Sequence, residues 1–553
     1  MNETGDKKLF WACWIALIAT AFGFVVRANI MDTWKDDFGL SETQKGQLFG
    51  VGLWPFAISI VLFSLIIDRI GYGKAMLFAF VCHVASMAIT IYASTLLAKP
   101  GASAEEVAAG QKSGYWMLYL GNFIVALGNG TVEAVINPVV ATMFARDKTK
   151  WLNMLHAGWP GGLVLGGILA ISMGDLHWTY KIGLLAIPTA IYGILMLTCT
   201  FPVSERVAAG VSYRQMLREV GFLGALVVTA LVVSEVFNVI QQMEIYFVDK
   251  PGVEAGDRWD SIVKTLSLPV IGEFAVTKFM AVKWGLILGV SLLFGLYTLS
   301  LGRIMFFLLL LIMCPLAITE LGTDSWIGGL MEPEMVKLGL KGGYVLIYTS
   351  AIMLVLRFCA GPIVHKLSPL GLLAISAAIA AVGLVSLSML TGVAILAAAT
   401  FYAFGKTFFW PTMLGVVSEQ FPKGGALTLN ICGGVGMLAV GILGTPLLGN
   451  IQDKEIDASL KKNNPAIHAS VMKAPKASLF GEYQPVDEDK VKVLPKEEQK
   501  IISETGDTAK KSALKTVALF PCIMLVSYLL LLLYFKARGG YKAQEIGAGS
   551  AGH

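Results

Sequence analysis

The sequence predicts an all-α integral membrane protein with about fourteen transmembrane helices. Hydrophobic residues make up 56% of the 553 residues and charged residues only 15%, whereas soluble proteins carry about 25% charged residues. The apolar residues also occur in blocks of roughly 20, the length that crosses about 30 Å of hydrocarbon. A third observation is a weak internal repeat, in which several residues recur in the same order in the two halves of the chain.

The predicted transmembrane segments are fourteen apolar runs, and helix is the structure expected for each. Lipid offers the backbone no hydrogen-bond partner, and the alternating pattern of a transmembrane β-barrel is absent. The runs are 9–31, 47–67, 75–97, 115–145, 152–173, 182–201, 222–240, 284–301, 304–327, 344–364, 369–389, 393–418, 425–448 and 515–535.

The internal repeat relates residues 133–138 to 406–411, and residues 152–153 to 429–430. In the first match each segment has a charge five residues before a proline, and in the second each segment reads Leu-Asn. Runs one to six then correspond to runs nine to fourteen, and runs seven and eight form an additional hairpin. Duplicated halves place a solute site at their interface near the bilayer midplane, so the repeat predicts transport by alternating access.

The repeat divides the chain into three expected parts. An N-terminal six-helix bundle covers 1–205, a cytoplasmic linker with the extra transmembrane hairpin covers 206–302, and a C-terminal six-helix bundle covers 303–553. Within the last part, residues 450–514 carry equal numbers of acidic and basic side chains together with Pro and Asn. This composition predicts an insertion on the outer surface.

Basic residues are concentrated in the loops expected on one side of the membrane. The positive-inside rule assigns that side to the cytoplasm, so both termini are expected there, and a cell (inner) membrane is the expected location. The bases are Arg69, Lys74, Arg146, Lys148, Lys150, Arg206, Arg214, Arg218, Arg303, Lys366, Lys536, Arg538 and Lys542.

The loop after the second run resembles a motif of the major facilitator superfamily. That motif is Gly-x-x-x-Asp-Arg-x-Gly followed by bases, and here Ser64 stands for the first Gly, with Asp68, Arg69 and Gly71 in place. The resemblance implies a major facilitator fold of two six-helix bundles. It also implies that Asp68 and Arg69 belong to an inner-side charge latch that gates the two halves.

Ionisable residues within the apolar runs are functional candidates, because each costs about 2.5–3.5 kcal/mol on insertion scales. Glu133 and Lys406 occupy matching places in the two halves, so we expect them to meet across the central cavity and respond to a proton or an anion. The alternative is a static buried ion pair. The candidates are Arg27, Glu133, Glu320, Asp324, Arg357 and Lys406, with Glu235 in the extra hairpin.

Arg27 in the first run resembles the first-helix arginine of organophosphate antiporters of the same superfamily, where it faces the anionic group. A guanidinium binds carboxylate or phosphate in a bidentate manner, so a substrate-binding role is expected. The alternative is an arginine whose side chain reaches the outer interface.

Residues 131–138, which include Glu133, resemble the fourth helix of proton-coupled fucose-type sugar permeases, and residues 320–326 resemble their seventh helix. This resemblance implies that Glu133 couples transport to protons. The first-helix aspartate of those permeases is absent, and Arg27 occupies nearly that place. The predicted substrate-binding residues are Arg27, Asn137, Glu320, Asp324, Lys406 and Trp410, the last because aromatic faces suit sugar rings.

Other function classes have little support in the sequence. It contains no catalytic constellation, no phosphate-binding loop ending in Gly-Lys-Ser/Thr, no metal-ligand spacing among the seven cysteines and no basic stripe for nucleic acid. We therefore expect neither an enzyme nor a bound cofactor or metal, and a monomer in the lipid bilayer. Three hypotheses remain: a proton-coupled symporter for a sugar or sugar acid, an organic-anion or organophosphate antiporter, and a non-transporting solute sensor.

Overall fold

The computed structural model describes residues 7–40, 42–99, 101–247, 278–473, 475 and 482–546. Helices of the N-terminal half are α1 (Lys7–Phe38), α2 (Glu42–Gly50), α3 (Trp54–Ile70), α4 (Tyr72–Ser94), α5 (Ala104–Met143), α6 (Lys148–His156), α7 (Gly158–Ser172), α8 (Trp178–Gly183) and α9 (Ala186–Leu197). Between the halves lie α10 (Glu205–Ala208), α11 (Tyr213–Phe247) and α12 (Lys278–Thr298).

Helices of the C-terminal half include two short π-helical segments, Ile318–Gly322 and Val440–Gly444, which pack against each other. The α-helices of this half are α13 (Ile304–Ala317), α14 (Thr323–Val336), α15 (Gly343–Phe358), α16 (Ala360–Leu367), α17 (Pro369–Met389), α18 (Ala394–Lys406), α19 (Phe409–Gln420), α20 (Gly425–Ala439), α21 (Thr445–Asn463), α22 (Pro465–Val471), α23 (Glu488–Lys492), α24 (Lys496–Val517) and α25 (Leu519–Lys536).

The helices confirm the predicted all-α membrane fold. Over the described residues, 12 helical spans are long and apolar enough to cross a membrane, or 13 when α15 and α16, bent by 67° at their junction, count as one. The remaining predicted run, 393–418, is divided into α18 and α19 by Thr407 and Phe408. The prediction of about fourteen segments is thus compatible with the structure.

Small residues bring helices of the N-terminal half into close contact. A Cβ at Gly162 of α7 would lie 2.6 Å from the Ile18 carbonyl oxygen of α1, and one at Gly130 of α5 would lie 2.2 Å from the Phe56 carbonyl oxygen of α3. Glycine at these positions lets the helix backbones approach, as is common where membrane helices cross.

The extra hairpin, α11 and α12, is joined to the start of the C-terminal half at Gly221. This glycine has φ 53° and bends α11, and a Cβ there would lie 2.1 Å from the Gly302 nitrogen. The backbone N–H of Phe222 donates to the Ser300 carbonyl at 3.0 Å, and that of Arg303 donates to the Glu219 carbonyl at 3.1 Å. The connection between the two hairpin helices, residues 248–277, lies outside the described residues.

The insertion at 450–514 is largely helical, which its mixed charge did not predict. It is built on the extensions of two candidate spanning segments. One of them, residues 422–463, has 42 residues, about twice the roughly 20 that cross a bilayer. Leu460, Ile467, Val471 and Ile502 form a small apolar core between the extensions.

An ion pair fastens this insertion to α14. Lys511 Nζ lies 2.7 Å from Glu334 Oε1, and Lys337 Nζ lies 3.1 Å from the same oxygen. The hydrogen bond from Lys511 is the main reason that the pKa of Glu334 is lowered below its ordinary value. The end of α14 and the insertion are therefore held as one unit.

Candidate functional site

Lys406 at the end of α18 is paired with Asp324 at the start of α14. The Lys406 ammonium also lies 3.4 Å from Thr349 Oγ1 of α15 and 5.0 Å from the centre of the Tyr402 ring. Lys406 is fully buried and Asp324 nearly so. All these partners belong to the C-terminal half, so this charge pair lies within one bundle.

A second buried ion pair, Glu320 and Arg357, hydrogen-bonds to the backbone at the break between α18 and α19. Arg357 Nη2 donates to Glu320 Oε1 at 2.6 Å, and its Nε donates to the Thr407 carbonyl at 2.7 Å. The other carboxylate oxygen of Glu320 accepts from the Trp410 backbone N–H at 3.0 Å. Backbone groups freed at a helix break need partners inside a membrane, and this ion pair supplies two of them.

Arg357 also reaches across to the N-terminal half. Its Nη1 donates to the His156 carbonyl of α6 at 2.7 Å. The His156 ring Nε2 is 2.9 Å from Asn137 Oδ1, and Asn137 Nδ2 donates to Glu133 Oε2 at 2.6 Å. Glu133 and Asn137 are four residues apart on α5 and so share one face. His156 therefore connects two sets of polar contacts: its ring is linked to Glu133 through Asn137, and its backbone carbonyl is linked to Glu320 through Arg357.

Glu133 makes no ion pair with any described residue, although it is buried. The predicted pairing of Glu133 with Lys406 is wrong for this structure, because Asp324 of the same half is the partner of Lys406. Equivalent positions in the repeat identified two buried charges correctly but did not identify their partners.

Arg27 lies about two thirds of the way along α1 and is buried, with 7% of its surface exposed. Its Nη2 donates to Ser86 Oγ at 2.9 Å, and Ser86 in turn donates to the Gly121 carbonyl at 2.7 Å. The absence of a Cβ at Gly23 leaves room for the guanidinium, since one there would lie 3.2 Å from Arg27 Nη1. The alternative that Arg27 extends to the outer interface is therefore wrong.

A small cavity of about 40 Å³ lies beside Arg27. Its polar lining residues are Arg27, Asn122 and Asn129, and its wall includes half-buried Phe24 and exposed Ala28. Arg27 Nε and Asn122 Nδ2 are buried donors with no hydrogen-bond partner among the described residues. Among the described parts of the chain no carboxylate is paired with Arg27. Both donors therefore belong to residues that line one cavity.

A histidine that the sequence interpretation missed supports this cavity. His83 Nε2 lies 2.9 Å from Asn129 Oδ1, and His83 Nδ1 lies 2.9 Å from the Tyr192 hydroxyl. The network fixes the side chain of Asn129 at the cavity wall. Its sequence signal was an ionisable residue inside the third apolar run, the same signal that identified Arg27.

The ring of Trp410 is a packing element in this structure. It is buried, and a Cβ at Gly436 of α20 would lie 2.7 Å from its six-membered ring. The indole of Trp410 therefore packs against α20 at Gly436, where no side chain is in the way. Of the predicted site residues, the structure joins Trp410 to Glu320, Asp324 to Lys406 and Asn137 to Glu133, whereas Arg27 hydrogen-bonds to none of the others.

The loop motif forms a charge cluster at one end of the bundle, which we call the Asp68 end. Arg206 forms an ion pair with Asp68, whose other oxygen accepts from Ser204 Oγ at 3.0 Å. The Arg206 side chain also abuts Gly425 at the start of α20. The Arg69 guanidinium lies 5.1 Å from the centre of the Tyr213 ring in α11.

Direct contacts between the halves close the Asp68 end. Thr149 Oγ1 of α6 donates to Glu419 Oε1 of α19 at 2.5 Å. The repeated asparagines also reach across: Asn153 donates to Thr412 Oγ1 at 3.1 Å, and Asn430 donates to the Ala134 carbonyl at 3.0 Å. The equivalent asparagines of the repeat, Asn153 and Asn430, thus each donate a hydrogen bond to the opposite half.

A family model described as Major Facilitator Superfamily matches residues 13–450. The chain belongs to the major facilitator superfamily. Membership of the superfamily makes it a transporter and a multi-pass membrane protein. No curated protein sequence matches the chain significantly. Within the described residues no group of three or more His, Cys, Asp or Glu side chains is arranged to hold a metal ion.

Solved superfamily structures share this fold at low sequence identity. The proton:xylose symporter XylE bound to 6-bromo-6-deoxy-D-glucose is 13% identical, with a TM-score of 0.56 over 95% of this chain and 97% of that one. The E. coli fucose:proton symporter FucP is 12% identical, with a TM-score of 0.50 over 92% and 98%. The human organic anion transporter MFSD10 (TETRAN) is 11% identical, with a TM-score of 0.52 over 94% and 99%.

Proposed function

We propose that this transporter carries a sugar acid, or a similar small carboxylate, together with protons. The observation that carries the proposal is the Arg27 guanidinium, which lies at a cavity lined also by Asn122 and has no carboxylate partner among the described residues. The two other candidate cations within the spans, Arg357 and Lys406, already have carboxylate partners.

An anionic group of the solute would give the Arg27 guanidinium the counter-charge that it lacks among the described residues. A buried charge without a counter-charge is strongly disfavoured, and a charge-assisted bond between guanidinium and carboxylate is among the stronger polar contacts in proteins. The cavity volume of about 40 Å³ suits one small polar group, since a single water needs about 10–15 Å³ of cavity volume. The rest of the solute would lie beyond Phe24 and Ala28.

Glu133 is the second buried charge without an ion pair to a described residue, and a proton would neutralise its carboxylate. Glu133 is linked through Asn137 and His156 to Arg357, which bonds across the two halves. Protonation of Glu133 would therefore act on a set of contacts that joins the two halves. A solute anion at Arg27 and a proton at Glu133 would neutralise charges of opposite sign, which makes joint occupancy favourable and supports symport.

The second candidate is antiport of organic anions. Two observations support it: the likeness in fold to a human organic anion transporter and the position of Arg27, which supports symport and antiport equally. The two candidates differ only in the role of Glu133. A sensor without transport has no specific observation in its favour.

The remaining expectations are part of the same proposal. Residues 1–205 and 303–553 are the halves that rock about the site, 206–302 is the linker with the extra hairpin, and Asp68 and Arg69 gate the Asp68 end. The protein functions as a monomer in a cell (inner) membrane. The bases near the Asp68 end support a cytoplasmic location for that end and for both termini.

Uptake of radiolabelled glucuronate into proteoliposomes tests the proposal. An inward proton gradient should drive accumulation by the wild type, whereas Glu133→Gln should lose gradient-driven accumulation and keep exchange with glucuronate loaded inside. Glu497→Gln, an exposed carboxylate of the insertion, is the matched control and should behave as the wild type.

Two results would count against it. Gradient-driven accumulation by Glu133→Gln would exclude Glu133 as the coupling residue. A wild type that accumulates glucuronate only against internal anion, whatever the proton gradient, would identify an antiporter.

A further inference from the structure

A larger cavity, about 720 Å³, lies at the Asp68 end outside the transport site. It is enclosed by the start of α13, the loop between α19 and α20, the end of α25 and the tail after α25. Its walls therefore belong to the C-terminal half, with the start of the extra hairpin contributing Glu219.

Basic side chains dominate the lining of this cavity. Arg303, Lys423, Arg538 and Lys542 face it, against two carboxylates, Glu219 and Glu545. Glu219 is already engaged by Arg303, whose Nε lies 3.1 Å from Glu219 Oε2. The balance of the lining favours an anion.

The cavity lies at the depth of the lipid headgroups. Arg303 immediately precedes α13, and Arg538 follows the end of α25 by two residues. The neighbouring apolar residues Ile304 and Tyr534 are exposed, by 62% and 40%, and both line the cavity. One wall is thus basic and the other opens to the hydrocarbon, a combination typical of sites for anionic lipids between membrane helices.

We propose that this cavity binds an anionic phospholipid. Its headgroup phosphate would lie among Arg303, Lys423, Arg538 and Lys542, with an acyl chain along Ile304 and Tyr534. A soluble phosphate compound would satisfy the bases but would leave the exposed apolar wall uncovered, so the structure favours the lipid.

The tail that lines this cavity is also hydrogen-bonded to Glu419, one of the residues whose contacts close the Asp68 end. The Tyr541 hydroxyl donates to Glu419 Oε2 at 2.8 Å, and the Gln544 N–H donates to the Glu419 carbonyl at 2.8 Å. The other oxygen of Glu419 accepts from Thr149 of the opposite half. Burial raises the pKa of Tyr541 well above its ordinary value, so the phenol remains a donor. Lipid that orders the tail would favour closure of the Asp68 end.

Native mass spectrometry of the purified full-length protein tests this site, with phosphatidylglycerol, phosphatidylcholine or inorganic phosphate added. Wild type should retain phosphatidylglycerol in preference to phosphatidylcholine. Each basic side chain removed should weaken that preference about fivefold. The variants are Arg303→Gln with Arg538→Gln, and Lys542→Gln alone, which lies in the tail beyond the last helix and leaves the bundle intact. Arg214→Gln, an exposed arginine outside the cavity, is the control.

Three results would overturn the proposal. Equal retention of the two lipids by the wild type would exclude recognition of the anionic headgroup. An unchanged preference in both Lys542→Gln and the double variant would exclude this cavity. Displacement of phosphatidylglycerol by millimolar inorganic phosphate would assign the cavity to a soluble phosphate compound.

Discussion

The two halves differ in how they hold the charged residues inside their apolar runs. In the C-terminal half, Glu320 pairs with Arg357 and Asp324 with Lys406. In the N-terminal half, Arg27 and Glu133 have polar neighbours but no ion pair with a described residue. In one half, buried ion pairs hold a broken helix together; in the other half, the proposed function assigns the two charges to a solute and a proton.

The same substitution in the two halves tests this contrast most strongly. Arg357→Met should lower the free energy of unfolding by about 3–5 kcal/mol, because it leaves Glu320 as an uncompensated buried charge. It also removes the bonds to the Thr407 and His156 carbonyls. Thermal unfolding in detergent measures the effect. Glu320→Gln combined with Arg357→Met should recover part of the stability, and wild-type stability of the single variant would refute the structural role.

Arg27→Met should have a much smaller effect on stability. It removes a guanidinium that has no paired carboxylate among the described residues, so the free energy of unfolding should change by about 1 kcal/mol or less. Stabilisation by added glucuronate should be lost, because bonds to a charged group contribute about 1.5–3 kcal/mol. A loss of stability as large as that of Arg357→Met would show that Arg27 has a structural role like that of the C-terminal pairs.

A charged contact outside the membrane should have the smallest effect. Glu334→Gln breaks the bond that joins the insertion to α14 and should lower stability by about 0.5–1 kcal/mol. Because the pKa of Glu334 is lowered in the folded protein, its contribution is complete above the ordinary glutamate pKa. It is lost as pH falls through the lowered value. Thermal unfolding at neutral and acidic pH should therefore show a difference from the wild type that disappears in acid; a constant difference would exclude the ionised pair as its cause.

The sequence predicted most of the fold and less of the site. Thirteen predicted runs correspond to the candidate spans because length and hydropathy report directly on lipid. The break at Thr407–Phe408 was missed, since both residues suit an apolar helix and only the contacts of Glu320 and Arg357 stabilise it. Length and hydropathy likewise gave no sign that the spanning helices continue into the insertion.

The partners of the buried charges could not be predicted for a related reason. The repeat matches Glu133 with Lys406 by position along the chain, but an ion pair depends on which helices are neighbours in space. Arg357 was identified as a buried charge without an assigned role, and the structure makes it the link between Glu320 and the opposite half.

The most direct test of the central claim is the affinity of the purified protein for glucuronate and for glucose, measured by isothermal titration calorimetry. The account predicts that wild type binds glucuronate at least about tenfold more tightly than glucose, and that Arg27→Met binds both with similar weak affinity. Equal binding of the two sugars by the wild type, or an undiminished preference for glucuronate in Arg27→Met, would contradict it.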